Sequence, residues 1–517
     1  MKKKISDDIL LKLSELISTQ MGLYFPKERY QDLLRGVTSA AKEFGFKNVE
    51  ACIEWLLFSQ LKKEQIVILA SHLTVGETYF FREPKVFEAL EKHIIPQILQ
   101  QRNKFEGCLR IWSAGCCTGE EPYSIAILLR RMIPNLENWK ITLLATDINP
   151  RFLQKAEEGV YREWSFRGTP EWLKKNYFKK LDEGLYEILP QIKQMVKFNY
   201  LNLVEDTFPT LFNDTNAMNL ILCRNVLMYF TQNQIKKIIE RYYYTLLDDG
   251  WLIVGPSETS NIFFPHYKTV NFPDAVLYKK NEVISAAHFN ECVINIIPEK
   301  DLFYHQPIEN SVSANAFGND FISLNKDMLS GNKSEEYVET DIESIEELEP
   351  ERTLYEEALA CYKLGYYDDT IEKIRGVLSI QKDDVNAMML LSKAFANQGK
   401  LTEALEWCKK AIEIDKLNPQ FYHLYATILE ERGQFEEAKE SLKKALYMNP
   451  HFALAYFQLG NLTRQQGKLS ESEKYFHNAL TLLDNYRHDE VLPESDGIIA
   501  GRLIEIIRLI NNKENLA

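Results

Sequence analysis

The chain has 517 residues, 45% of them hydrophobic, and a formal net charge of −13. That length predicts roughly two to four domains at ~100–200 residues each, every one able to bury a core. The acidic balance argues against a nucleic-acid partner, because phosphate contacts need clustered Lys and Arg. No apolar run reaches the ~18 residues of a membrane-spanning helix, so no membrane insertion is expected.

Met1-Lys2-Lys3-Lys4 leads into an amphipathic segment rather than the continuous apolar run of a leader peptide. The cysteines (Cys52, Cys108, Cys116, Cys117, Cys223, Cys292, Cys361, Cys408) show neither zinc-type spacing nor disulfide density. Both features predict a cytoplasmic protein with reduced thiols and no metal site. Cys116-Cys117 reads as a pair of small side chains at a tight turn rather than as a redox couple.

Residues 1–72 predict an all-α domain. Ile9, Leu10, Leu13, Leu16 and Ile17 form an apolar stripe at helical spacing, with Ser6 or Asp7 to cap it. Pro26 opens a second helix carrying Leu33, Leu34, Val37 and Ala41, and Ala51, Trp55, Leu56, Ile66, Ile68 and Leu69 continue the pattern. A small helical bundle accounts for this stretch without any function.

Residues 73–284 predict an α/β domain. Leu109–Gly115 reads as a strand running into a turn, Glu120–Ile133 as a helix, and Ile141–Thr146 as a strand closed by Asp147. Met195–Phe198 and Met218–Cys223 are short apolar runs; Ile235–Leu247 is a helix and Trp251–Val254 a strand ended by Gly255-Pro256. Such alternation implies a parallel sheet with helices on both faces.

Residues 285–352 predict a flexible acidic linker: Glu335, Glu336, Glu339, Asp341, Glu343, Glu346, Glu347, Glu349 and Glu351 have no Lys or Arg among them. Residues 353–484 repeat. Gly365, Gly399, Gly433 and Gly467 recur every 34 residues, the tetratricopeptide (TPR) period. Small residues keep the register: Ala358, Ser392, Ala426 and Gly460 before each Gly, and Thr370, Ala404, Ala438 and Ser472 after it. Close approach of stacked helical hairpins demands them. Residues 485–517 add a capping helix. The stacked hairpins are expected to hold a protein or peptide, and the linker to let them move relative to the α/β domain.

In an open parallel sheet, ligands bind beyond the carboxyl ends of the strands. Three segments meet there: Ser113–Glu121 after the first strand, Asp147 after the second, and Cys223-Arg224-Asn225 with Tyr229 after a later one. An acid at the second position commonly accepts from ribose hydroxyls. Glu120 and Glu121 disfavour a pyrophosphate, which wants bare N–H groups at a helix N-terminus, and suit a nucleoside carrying a cationic centre. S-adenosylmethionine is such a ligand. One of the two glutamates serves equally well as helix N-terminal charge.

The string LTVGETYFFREPKVFEAL, residues 73–90, resembles the signature of the chemotaxis receptor methyltransferase (CheR) family. RIWSAGCCTGEEPYSIAILL at 110–129 resembles its cofactor loop; ATDINPRFLQKAEEGVYRE at 145–163, NLILCRNVLMYF at 219–230 and GWLIVGPSE at 250–258 resemble further blocks in the same order. The resemblance implies a Rossmann-like S-adenosylmethionine-dependent methyltransferase domain behind a small helical domain, followed here by the TPR α-solenoid.

It also implies roles. Thr78 and Arg82 contact cofactor and line the active site. Ala114 and Gly115 belong to the cofactor loop, Glu121 and its neighbour Glu120 bind the methionine end, and Asp147 holds the ribose. Asn202-Leu203 and Arg224-Asn225 frame adenine and methionine, and Tyr229 faces the sulfonium. Arg82 and Tyr229 are the catalytic pair. The chain departs from many relatives at Gly76, where they have Asn. It departs also over Trp164–Glu187, where enteric-type members carry a small β-subdomain that docks a receptor tail, so tail docking does not carry over. The implied reaction is O-methylation of glutamate side chains on the cytoplasmic domain of a chemoreceptor. The competing reading is a non-enzymatic TPR scaffold with an inactive methyltransferase domain. Arg82, Asp147, Arg224, Asn225 and Tyr229 argue against it.

Overall fold

The computed structural model describes residues 5–281 and 353–512, apart from 60, 103–107, 182–183, 207, 211–212, 261, 274, 489 and 494–498. The expected acidic linker lies outside the described residues.

Four helices open the chain: α1 (Asp7–Met21), α2 (Tyr30–Glu43), α3 (Val49–Phe58) and α4 (Lys63–Leu73). Leu13 and Ile17 of α1, Leu33 and Val37 of α2, Leu56 and Leu69 meet in one core, as their spacing predicts. Ser6 occupies the N-cap of α1 without a side-chain hydrogen bond, and Gly22 closes the helix with its N–H on the Ser18 carbonyl. A short 3₁₀ turn, Lys27–Arg29, separates Pro26 from α2.

The sheet has strands β1 (Cys108–Ala114), β2 (Lys140–Asp147), β6 (Val196–Tyr200), β7 (Met218–Cys223), β8 (Leu246–Val254), β9 (Tyr267–Phe272) and β10 (Ala275–Lys280), in the order β6-β2-β1-β7-β8-β10-β9. The first five are parallel; β9 and β10 form an antiparallel hairpin on the edge, so the sheet is mixed rather than wholly parallel. β7 is buried along its whole length, as a central strand covered on both faces must be. The order steps left and then right from β1, which places the switch point, and hence a crevice, between β1 and β7.

A second sheet overlaps Trp164–Glu187, the stretch that departs from enteric-type members. Strands β3 (Val160–Arg162), β4 (Phe178–Lys180) and β5 (Leu185–Ile188) pair antiparallel in the order β3-β5-β4. Phe80, Tyr161, Phe166 and Phe178 pack ring against ring beneath it.

The repeats form four helical hairpins from Leu354 to Leu483, followed by the helix Ala500–Asn512. Thr353 caps the first helix through a capping box with Glu356. The hairpin turns of repeats one to three rest on the amino edge of the main sheet. Tyr366 packs edge-on against Tyr244, ring centroids 4.6 Å apart, and Gly399 lies beside Ala217 and Leu247. Lys140, which starts β2, donates to the Glu430 carbonyl at 3.3 Å. Arg110 in β1 pairs with Glu431 at 2.7 Å, both side chains at least 89% buried. Arg110 also donates to the carbonyls of Asp214 and Asn216. The linker was expected to let the repeats move relative to the α/β domain; here three successive turns follow the strand order, and a buried ion pair ties them to that domain.

Candidate active site

The carboxyl ends of β1, β2 and β7 open into a cleft of about 1110 Å³, counting the solvent at its mouth. After β1 the chain turns at Gly115, whose φ is +79°. A Cβ there would sit 2.4 Å from Val226, so only glycine fits. The N–H groups of Gly115 and Cys116 both reach the Thr146 carbonyl, at 2.7 and 2.9 Å. The N–H of Cys117 is thereby turned onto Asp147 Oδ2 at 2.8 Å.

Asp147 ends β2 and is 8% exposed. Its other oxygen accepts from the Asn149 N–H at 2.8 Å. Burial pushes its carboxyl up to about 6, against the lowering effect of those amide donors. Among the described residues it has no cationic partner.

Arg224 follows β7 and is almost wholly buried. Its guanidinium bridges Glu121 (2.9 Å) and Glu83 (2.8 Å) and donates to the Arg82 carbonyl. Ser113 holds the other oxygen of Glu121 at 2.7 Å. One arginine therefore ties the FFRE segment to the helix after β1. Glu83 is consumed by this contact, and Arg82 instead donates to the Glu77 carbonyl at 2.6 Å. No carboxylate among the described residues pairs with Arg82. Asn225 sits at φ +58°, and its Oδ1 is buried without a hydrogen-bond partner.

The cleft is lined by Thr78, Arg82, Gly115, Glu121, Asp147, Asn202, Leu203, Arg224, Asn225 and Tyr229, all of them expected from the sequence. Two expected residues are not in the lining. Ala114 is buried inside β1. Glu120 turns away, its oxygens accepting from Thr118 (2.6 Å) and Ser165 (2.9 Å). Those two hydroxyls claim the carboxylate, so its placement in the cofactor site is corrected. Burial raises the thiols of Cys116 and Cys117, so neither is a thiolate at neutral pH.

The helical domain also supplies part of the wall. Met21, Leu23, Tyr24, Phe25 and Arg29 line the cleft, and Arg29 lies over the Tyr229 ring at 5.5 Å. The Tyr24 N–H reaches the Tyr229 carbonyl at 2.8 Å, and Asn202 donates to the Gln20 carbonyl at 2.9 Å. Sequence reading gave this domain no part in the site. Its one local signal was Arg29, three residues after Pro26 and just before α2, a cation at the entry to a helix.

The family model described as "CheR methyltransferase, SAM binding domain" matches residues 76–273. Tetratricopeptide-repeat models match 355–419, 407–440 and 426–487. "Chemotaxis protein methyltransferase" of Borreliella burgdorferi is 33% identical over 279 residues, 54% of this chain and 95% of that protein. "Chemotaxis protein methyltransferase 2" of Vibrio cholerae is 29% identical over 53% of this chain and 94% of its own length. "Probable chemotaxis protein methyltransferase" of Rhizobium etli is 34% identical over 37% of this chain and 70% of its own.

The chain belongs to the chemotaxis protein methyltransferase family. S-adenosylmethionine is the methyl donor of that domain, and the cleft suits it. Asp147, in the lining, is a buried carboxylate held by backbone N–H groups, and no described cation offsets it. A cationic ligand is what such a site lacks. The orphaned Asn225 Oδ1 offers it a further acceptor. In the Borreliella and Vibrio relatives the aligned stretch is 95% and 94% of the protein, which leaves no room for the repeats that this methyltransferase carries. No described helix is long and apolar enough to cross a membrane.

Proposed function

We propose that this methyltransferase esterifies glutamate side chains on the cytoplasmic domain of a chemoreceptor. One observation carries the reading: a guanidinium, Arg82, faces the cleft with no described acid to neutralise it, while its neighbour Glu83 is held by Arg224. An unpaired Arg at the mouth of a cation-binding cleft is suited to receive a carboxylate, through a bidentate fork.

In this reading Asp147 accepts from the ribose, Asn202 and Leu203 bracket the adenine, and Glu121 with Arg224 and Asn225 meets the amino-acid end. Thr78 supports the cofactor beside Arg82, and Tyr229 faces the sulfonium. The bound cofactor supplies a methyl group activated by positive sulfur. A glutamate, with pKa ~4.3, arrives as an anion, so the site needs no general base. What the protein contributes is alignment of carboxylate oxygen and methyl carbon, which can be worth several kcal/mol. The names of the relatives support the substrate class, since they are called chemotaxis protein methyltransferases.

The repeats are assigned to a partner protein or peptide. They rest on the amino edge of the sheet and the cleft lies at its carboxyl edge, so a partner held there leaves the cleft open. Incubation with methyl-labelled cofactor and a panel of receptor cytoplasmic domains tests the reading. Label transferred to receptor and released by mild base supports a glutamyl ester; label only on nucleic acid or small molecules overturns it.

A further inference from the structure

Glu258 closes the short turn Pro256–Glu258 after β8 and is 8% exposed. Its carboxylate reaches across to the loop after β7. Oε2 accepts from the N–H of Asn225 at 2.7 Å and of Gly255 at 2.7 Å, and Oε1 accepts from the N–H of Met228 at 3.1 Å. Two of these donors flank the cleft residues. Asn225 is itself in the lining, held in the left-handed region at φ +58°, and Met228 precedes Tyr229 within the turn Leu227–Tyr229. Asparagine tolerates that φ better than other non-glycine residues, and the Glu258 carboxylate adds a hold on its N–H. No described cation pairs with the carboxylate, so its hydrogen bonds are all spent on backbone donors.

We propose that Glu258 is a positioning residue for methyl transfer: by gripping the backbone at Asn225 and Met228 it sets where the Asn225 amide and the Tyr229 ring stand relative to the cofactor's sulfonium. This rests on the assignment of Tyr229 to the sulfonium and is independent of which carboxylate accepts the methyl group. A glutamine here keeps the shape but replaces one acceptor oxygen with an NH₂ group, which would oppose an N–H. An aspartate keeps the charge and loses the reach.

The test compares S-adenosylmethionine with S-adenosylhomocysteine, which lacks the methyl group and the positive charge, on the full chain and on Glu258→Gln and Glu258→Asp. Calorimetry is expected to show S-adenosylmethionine affinity reduced about tenfold or more in both variants, with S-adenosylhomocysteine affinity within about threefold of wild type. Retained S-adenosylhomocysteine binding doubles as the check that the variants fold. Equal losses for both ligands would make Glu258 a stability element only and overturn the proposal. Normal discrimination in Glu258→Asp would overturn it too, because charge without reach would then suffice. Should a variant not fold, amide exchange in the wild-type protein decides. The N–H groups of Asn225 and Met228 are expected to exchange as slowly as those of β7, and rapid exchange at both would refute the grip.

Discussion

Asp147 makes the cofactor site sensitive to pH in a defined direction. Its carboxyl is held by two amide N–H groups at 2.8 Å and has no described cation, and burial leaves it at about 6. A carboxyl raised above its unfolded value favours the protonated form in the empty protein. It therefore lowers stability as pH rises from the ordinary carboxylate range through about 6. In the proposed site, cofactor binding calls for the opposite form, an anion that accepts from hydroxyls and balances a cation. If only ionised Asp147 binds, the competent fraction falls from roughly ten elevenths at pH 7 to roughly one eleventh at pH 5. S-adenosylmethionine affinity should then fall about tenfold, or ~1.4 kcal/mol, over that interval. Near pH 6 binding should expel about half a proton. Calorimetry in two buffers of different ionisation heat reads both quantities. Asp147→Asn should bind ~10–100-fold more weakly at pH 7, because the lost hydrogen bonds are to a charged group, and should lose most of the pH dependence. An affinity that is flat from pH 5 to 7 in the wild type, or an unchanged slope in Asp147→Asn, would refute the assignment.

Arg82→Ala should lower turnover on a receptor fragment ~100-fold or more while cofactor affinity stays within about threefold, and Arg82→Lys should not restore it, because a lysine lacks the fork; normal turnover in either variant would make Arg82 structural. Glu431→Ala strands Arg110 in a buried position, where breaking a buried pair costs ~3–5 kcal/mol. Calorimetric melting should then split the joint transition of repeats and catalytic domain in two, with cofactor affinity unchanged, and a single unshifted transition would show that the ion pair does not hold the dock. A side chain at Gly76 would meet the Phe152 ring at 2.7 Å, so Gly76→Asn should weaken cofactor binding and Gly76→Asn/Phe152→Ala should recover part of it; additive losses in the double variant would show that the two residues are not coupled.

The main strands could be read because most of them centre on an apolar run, such as Leu220–Cys223 and Trp251–Val254, the mark of a sheet covered on both faces. The repeats could be read because a left-handed turn every 34 residues admits little but glycine, and Gly365, Gly399, Gly433 and Gly467 all have positive φ. The small sheet escaped notice because β3 and β4 have three residues each and β5 has four, too short for an alternation to register. In the β9–β10 hairpin the edge strand β9 is exposed or half-buried along most of its length and gave no apolar run, and the short run Ala275–Tyr278 of β10 was passed over. Glu120 and Glu121 are adjacent acids of one helix turn. Only the placement of Ser165 and Arg224 decides which of them faces the cleft. Arg29, Tyr24 and Phe25 reach the site across the chain, and Arg110 meets Glu431 across 321 residues. Contacts at that separation leave no trace in local periodicity.

The central claim is that the acceptor is a glutamate carboxylate oriented by Arg82. Mass-spectrometric sequencing of a receptor cytoplasmic fragment after incubation with the full-length enzyme and S-adenosylmethionine tests it most directly. The account predicts methyl groups on glutamate side chains alone, lost on mild base treatment and absent when Arg82→Ala replaces the wild type. Methylation at lysine, arginine or another base-stable position, or undiminished glutamate methylation by Arg82→Ala, would contradict it.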